Sequence, residues 1–174
     1  MATVILDAGH GGDDPGAVYL ERLEKDDNLR LTLAIGELLK QSGINVIYTR
    51  TEDIYKTPAR KAAEGNASGA DYFISIHRNS SPYANQYAGV ESLVYDRYGK
   101  AQQMAENINR QLERTGFANQ GIHEHKNLAV LHQTQMPSVI VEVGFINTER
   151  DNLLFDSRFS EIAQAIADGI SMSL

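Results

Sequence analysis

The chain contains no cysteine, which excludes a disulfide framework and any thiolate zinc site. A transition-metal centre in it must therefore be built from histidine and carboxylate. No apolar run approaches the roughly 20 residues needed to cross a bilayer. No basic tract offsets the formal net charge of −7, so neither nucleic acid nor an anionic membrane is an expected partner. Internal repeats and low-complexity linkers are also missing. Met1 runs directly into a short apolar segment, so no export signal is expected within the chain. What remains is an ordinary soluble composition, 42% hydrophobic and 22% charged. The length of 174 residues suits one domain, 1–174, with a core of its own.

Apolar, β-branched runs alternate with helical patterns along the whole chain. Residues 2–7 and 44–49 read as strands, as do 71–76, 89–95 and 138–143, with a weaker strand at 128–131. Between them, residues 26–41 carry leucines and isoleucines at helical spacing, and Gly43 supplies a C-terminal stop. Thr57-Pro58 opens a second helix whose alanines at 59, 62, 63 and 67 suggest close packing. A third helix covers 100–115, with Met104, Ile108 and Leu112 on one face. A closing amphipathic helix covers 157–173, with Phe159, Ile162, Ile166 and Ile170 inward. Residues 116–127 read as irregular, and 147–156 as a loop with a short helical turn. The alternation predicts a three-layer α/β/α domain around a mixed, mostly parallel sheet of about six strands.

Four strands end in chemistry. Val4-Ile5-Leu6-Asp7 runs into Ala8-Gly9-His10-Gly11-Gly12, and Val46-Ile47-Tyr48 into Thr49-Arg50. Ile74-Ser75-Ile76 runs into His77-Arg78-Asn79, and Val139-Ile140-Val141 into Glu142-Val143-Gly144-Phe145. In an open α/β sheet the carboxyl ends of the strands are where ligands sit. A hydrolytic zinc takes three ligands from His and carboxylate and keeps a position free. His10 and His77 at the strand tips, with Glu24 in the loop before the first helix, form such a set. Glu142 interrupts a run of β-branched residues, and burying an unpaired carboxylate is costly. It is either salt-bridged, for instance to Arg50 or Arg60, or a general base beside a metal-bound water.

Taken in order and spacing, five of these motifs closely resemble one family. They are Asp7-Ala8-Gly9-His10-Gly11-Gly12, Glu24-Lys25-Asp26, Thr49-Arg50, Ser75-Ile76-His77-Arg78-Asn79 and Val141-Glu142-Val143-Gly144-Phe145. The resemblance is to the catalytic domain of zinc-dependent N-acetylmuramoyl-L-alanine amidases of the Amidase_3 type, and it covers essentially the whole chain. It implies zinc held by His10, Glu24 and His77, with Glu142 as catalytic base. The substrate would be peptidoglycan, cut between N-acetylmuramic acid and the L-alanine of the stem peptide. Asn79 would shape the site, and Arg50 and Arg60 would be structural. Arg78 departs from the small residue common at its position, so a more cationic cleft floor, with Arg78 touching substrate, is expected. Asn147-Thr148 also departs, from a usual Ser-Asn. Glu21 is a nearby competitor for Glu24, but the Glu-Lys-Asp context favours Glu24.

Some relatives carry a helical insertion that blocks the site. The interval between Tyr95 and Leu128 holds only one helix and a loop, so an open cleft is expected. His123, His125 and His132 read as a polar rim near the cleft rather than a second metal site. The resemblance further implies a monomer acting outside the cell or at the wall, with release of a phage lysin from the cytoplasm as another route. Cell separation, sporulation, germination and phage lysis all use such domains. Two alternatives stand beside the amidase: a zinc exopeptidase or other amidohydrolase, and a silent wall-binding domain.

Overall fold

The computed structural model describes residues 1–174, and they form one α/β domain. The chain runs β1 (Thr3–Ala8), β2 (Val18–Tyr19), β3 (Arg22–Leu23), α1 (Glu24–Gln41), β4 (Asn45–Tyr48), α2 (Pro58–Ser68) and β5 (Tyr72–Asn79). It continues through β6 (Val90–Val94), α3 (Gly99–Glu113), β7 (Asn119–Glu124), α4 (Ala129–His132), β8 (Ser138–Phe145), α5 (Glu149–Ser157) and α6 (Phe159–Ser171). The main sheet has six strands in the order β4-β1-β5-β8-β6-β7. The first four are mutually parallel, β6 is antiparallel to β8, and β7 is parallel to β6. The tips of β1, β5 and β8 therefore meet at one edge. No helix is long and apolar enough to cross a membrane.

The two faces of the sheet are covered unequally, and this opens the site. On the thick face, Leu31, Ile35 and Leu39 of α1, Met104, Ile108 and Leu112 of α3, and Ile162, Ile166 and Ile170 of α6 pack on Ile74, Ile76, Val139 and Val141. On the thin face a smaller cluster of Ile5, Phe73, Leu93, Val130, Leu131 and Ile140 lies with α2 and α4. Successive strand residues point to opposite faces. Thus Ile74, Ile76 and Arg78 belong to the thick face, and Phe73, Ser75, His77 and Asn79 to the thin one.

Four local expectations are corrected. Residues 128–131 do not make a strand, because their apolar run closes as the single helical turn α4; a run that short carries no periodicity to separate the two states. Residues 119–124 form the edge strand β7 instead of an irregular stretch. Its sequence Asn-Gln-Gly-Ile-His-Glu is polar because it pairs with β6 alone and faces solvent. Residues 149–157 form a full helix, α5, with acidic Glu149 and Asp151 in its first turn, where the helix dipole favours them. Finally, α2 packs through Lys61, Ala62 and Gly65, while Ala59, Ala63 and Ala67 face solvent. Its ends are as read: the Thr57 side chain accepts from Arg60 N, Pro58 sits in the first turn, and Gly69 closes it with φ 71°.

Candidate metal centre and cleft

β1 ends at Ala8, and the chain turns out of the sheet through Gly9-His10-Gly11-Gly12. His10 takes a left-handed φ of 62°, a conformation that costs free energy outside glycine and recurs at functional sites. Two glycines make room for the rings. A Cβ on Gly9 would stand 2.3 Å from Cε1 of His77, so that imidazole lies directly on the Gly9 backbone. A Cβ on Gly16 (φ +67°) would stand 2.5 Å from His10 Cδ2 and 2.6 Å from Glu24 Oε2.

Cations fix the turn through its carbonyls. Buried Arg50 donates to Ala8 O (3.0 Å), Gly9 O (3.1 Å) and Lys25 O (3.0 Å). The Lys61 ammonium, also buried, donates to Ala8 O (2.9 Å) and lies 2.8 Å from Asp7 Oδ1. Asp7 accepts further bonds of 2.6 Å from Thr49 Oγ1 and Ser75 Oγ. Burial pushes the Asp7 carboxyl up, but the Lys61 charge and these hydrogen bonds outweigh it and hold it below its ordinary range.

Glu24 is not in the preceding loop. The first helix starts two residues earlier than its apolar spacing suggests, so Glu24 is its first residue, in an acidic first turn with Asp26 and Asp27. Its buried carboxylate lies between the two rings, Oε2 3.1 Å from His10 Nε2 and Oε1 3.0 Å from His77 Nδ1. It also accepts from Ala17 N (2.9 Å), Arg78 N (3.1 Å) and Asn28 Nδ2 (3.3 Å). Burial alone would raise the Glu24 carboxyl; the hydrogen bonds from His10 and His77 hold it far below the usual range. Burial depresses His10, yet Glu24 and Asp14 together carry it up to about 9. His77 is likewise raised, by Glu24 and Glu142 against burial.

One potential ligand atom from each of His10, Glu24 and His77 lies within 4.8 Å of the others. The residues fit a divalent cation on chemical grounds. A buried, ionised carboxylate between two imidazoles whose ring nitrogens converge on it is a donor set in which a divalent cation would take the place of the ring protons that now bridge to Glu24. Asp14 adds the outer support common to such centres: its Oδ2 lies 2.8 Å from His10 Nδ1, which leaves Nε2 for the ion. Glu21 lies in the β2–β3 turn, exposed and outside this cluster.

Glu142 pairs with His77 across β5 and β8. It has neither Arg50 nor Arg60 as a partner: Arg50 is spent on carbonyls, and Arg60 pairs with Glu64 on the surface. Glu142 Oε2 is shielded from solvent with no hydrogen-bond partner. Burial pushes this carboxyl up to about 7, the charge of His77 notwithstanding. His10, His77 and Glu142 open into a cleft of about 470 Å3, walled on the far side by Leu93, Leu128 and Val130. From the interval between Tyr95 and Leu128, α3 packs against α6 on the opposite face, and only Asn127 and Leu128 reach the cleft wall.

Arg78 is not on the cleft floor. It alternates away from His77 and is 2% exposed on the thick face. There its Nη1 lies 2.7 Å from Asp27 Oδ2, its Nη2 donates to Asn152 Oδ1 (2.8 Å), and its guanidinium stacks 4.2 Å over the Phe155 ring. Asn79 does face the cleft side, where Nδ2 donates to Glu91 Oε1 at 2.7 Å. His123 lies on β7 with Nε2 3.3 Å from Glu91 Oε2, and His125 and His132 are exposed. None of these three joins the metal cluster.

Sequence reasoning passed over Asp14, Lys61 and Glu91. Asp14, four residues after His10 in a glycine-rich loop, was the one most open to discovery. Lys61 stands in an alanine-rich helix and looks solvated until the fold buries it.

Two imidazoles and a carboxylate about one point, with an unpaired carboxylate beside them at an open cleft, are the parts of a metal-assisted hydrolytic centre. The chain belongs to the Amidase_3 family, described as N-acetylmuramoyl-L-alanine amidase, which it matches over residues 4–172. It is 35% identical to the uncharacterized protein YqiI of Bacillus subtilis, across 97% of this chain and 82% of that one. It is 28% identical to the probable cell wall amidase LytH of Staphylococcus aureus, covering 98% of this chain but only 57% of LytH. Its fold superimposes on the N-acetylmuramoyl-L-alanine amidase AmiC2 of Nostoc punctiforme with a TM-score of 0.90 at 31% identity, over 98% of this chain and 96% of that one.

Proposed function

We propose that this chain is a zinc-dependent N-acetylmuramoyl-L-alanine amidase that hydrolyses peptidoglycan at the cell wall. The observation that supports it most is the placement of Glu142, an unpartnered carboxylate opposite His77, beside the His10–Glu24–His77 cluster. Those three residues would hold the ion; when bound, zinc would polarise the amide carbonyl and acidify the attacking water. Glu142, raised to about 7, is matched to both halves of the proton transfer. It takes the proton of the water as that oxygen joins the carbonyl carbon, and passes it to the nitrogen as the C–N bond breaks. Asp14 holds His10 in the tautomer that keeps Nε2 free. The apolar wall of Leu93, Leu128 and Val130 limits water beside the reacting bond, and the open rim suits a polymeric substrate.

An exopeptidase would need a cation for a terminal carboxylate. Arg78 is committed to Asp27, and the two lysines that line the cleft, Lys56 and Lys61, are paired with Glu64 and Asp7. The test is mass spectrometry of purified peptidoglycan after digestion by wild type and Glu142→Gln. Stem peptides with a free L-alanine amino terminus, released by wild type alone, support the amidase. Release of carboxyl-terminal residues in place of whole stems overturns it.

A further inference from the structure

The amidase reading leaves one polar group beside the centre without a role. Glu91 lies directly opposite Glu142 in the antiparallel β6–β8 register, as His77 does on the other side of Glu142 in β5–β8. Three ionisable side chains thus stand in a row across adjacent strands on the thin face. Directly opposed residues lie about 4.5–5.5 Å apart at their Cα or Cβ atoms, and like charges there are destabilising. No cation stands between the two carboxylates, and Glu142 Oε2 is unpartnered.

Glu91 is held on one side and flanked on the other. Its Oε1 accepts from Asn79 Nδ2 at 2.7 Å, and its Oε2 lies 3.3 Å from His123 Nε2, which is itself 2.9 Å from Gln120 O. Asn79 is itself fixed, since its Oδ1 accepts from Ser80 N at 2.9 Å. Glu91 does not line the apolar cleft; it stands beside Glu142, two residues along β6 from Leu93, which does line it. Its side chain is 24% exposed, open enough to meet a ligand.

Hydrolysis of a neutral amide yields one anion and one cation. Water adds to the carbonyl carbon, the C–N bond breaks, and the amine leaves and takes up a proton at neutral pH. The anionic product belongs to the metal side. The departing amine needs hydrogen-bond acceptors and negative charge, which the opposed carboxylates supply. We propose that Glu91, held by Asn79, is a further substrate-contacting residue: its carboxylate accepts an N–H of the departing amine, next to Glu142, and gives the site its preference for amide over ester substrates. This rests on the amidase reading.

The experiment compares zinc-loaded wild type, Glu91→Gln and His123→Ala on two synthetic substrates. One is a muramoyl-L-alanyl peptide; the other is its ester counterpart with L-lactate in place of L-alanine, whose leaving oxygen never becomes a cation. Glu91→Gln is expected to lower kcat on the amide by about 10–100-fold, the value of one charge-assisted hydrogen bond, and to leave ester hydrolysis within about threefold on the same scale. His123→Ala, which keeps Glu91 and its Asn79 bond but removes the flanking imidazole, is expected to show a smaller loss with the same bias. A second measurement needs no turnover: calorimetry of the zinc-loaded proteins with the product peptide, amino terminus free or acetylated. Wild type should prefer the free amine, and Glu91→Gln should lose that preference. Equal losses on amide and ester, or an unchanged preference for the free amine, would overturn the role of Glu91. If wild type cleaves neither substrate, it is the amidase reading itself that fails, a result distinct from either.

Discussion

Replacing Arg78 with Met is expected to cost stability and spare the chemistry. The side chain is buried on the thick face, bonded to Asp27 and Asn152 and stacked on Phe155. Met retains much of the hydrophobic volume but abandons the charge. Removing one partner of a buried pair costs about 3–5 kcal/mol when the other is left alone. Asp27 is not left alone, because Arg22 Nε lies 2.7 Å from the same oxygen. With that compensation the loss falls to about 2–3 kcal/mol, still including the stranded amide oxygen of Asn152. For a domain of this size that lowers Tm by about 4–12 °C. The assay is calorimetry alongside kcat/KM at 25 °C, well below either transition. Arg78→Met with wild-type kcat/KM and a reduced Tm is the expected pair of results. An unchanged Tm with a tenfold loss of kcat/KM would refute the placement and return Arg78 to the cleft floor.

Other consequences are as direct. Asp14→Ala frees the His10 ring from its 2.8 Å partner, and zinc affinity measured by competition with a chelator should fall about 10–100-fold. Gly16→Ala drives a methyl to within 2.6 Å of Glu24 Oε2 in a left-handed backbone; it should weaken zinc binding at least as much, with far-UV circular dichroism unchanged. Glu142→Gln should keep zinc and lose about 10²–10⁴-fold in kcat, the usual share of a general base. The same variant makes a pH prediction for the metal-free protein. The Glu142 carboxyl is raised from 4.5 to about 7 on folding, so the folded state holds the extra proton between those values. Its contribution to stability is complete below 4.5 and is lost as pH rises through 7. Metal-free Glu142→Gln should therefore melt above wild type at pH 8, by roughly 3 kcal/mol of stability, and the gap should close at pH 4.

The sheet and its four parallel strands were legible because each is a short, mostly apolar run rich in β-branched residues and bounded by glycine, proline or a polar tip, and the long helices because their large apolar residues keep helical spacing. β7 was not, since an edge strand with solvent on most sides needs no apolar alternation, and its pairing with β6 is a tertiary fact. α4 was misread because four apolar residues have no period. The gathering of His10, Glu24 and His77 could be suspected from strand ends, but the pattern gave no account of which group supports which. Arg78 shows the limit most plainly. One residue separates it from His77, and the period of two that puts His77 in the cleft sends Arg78 through the sheet to Asp27. Lys61 and Glu91 were hidden for the converse reason: charged residues on a helix and a strand read as solvated until the fold shows what they face.

One metal ion at His10, Glu24 and His77 is expected to work with Glu142 on an amide, and the decisive experiment titrates zinc into chelator-treated, metal-free protein while following release of L-alanyl stem peptides in the same sample. Activity should be absent at the start, return linearly to a plateau at one zinc ion per chain, and fail to return in His77→Ala. Full activity of the metal-free protein, or restoration of His77→Ala by stoichiometric zinc, would rule this out.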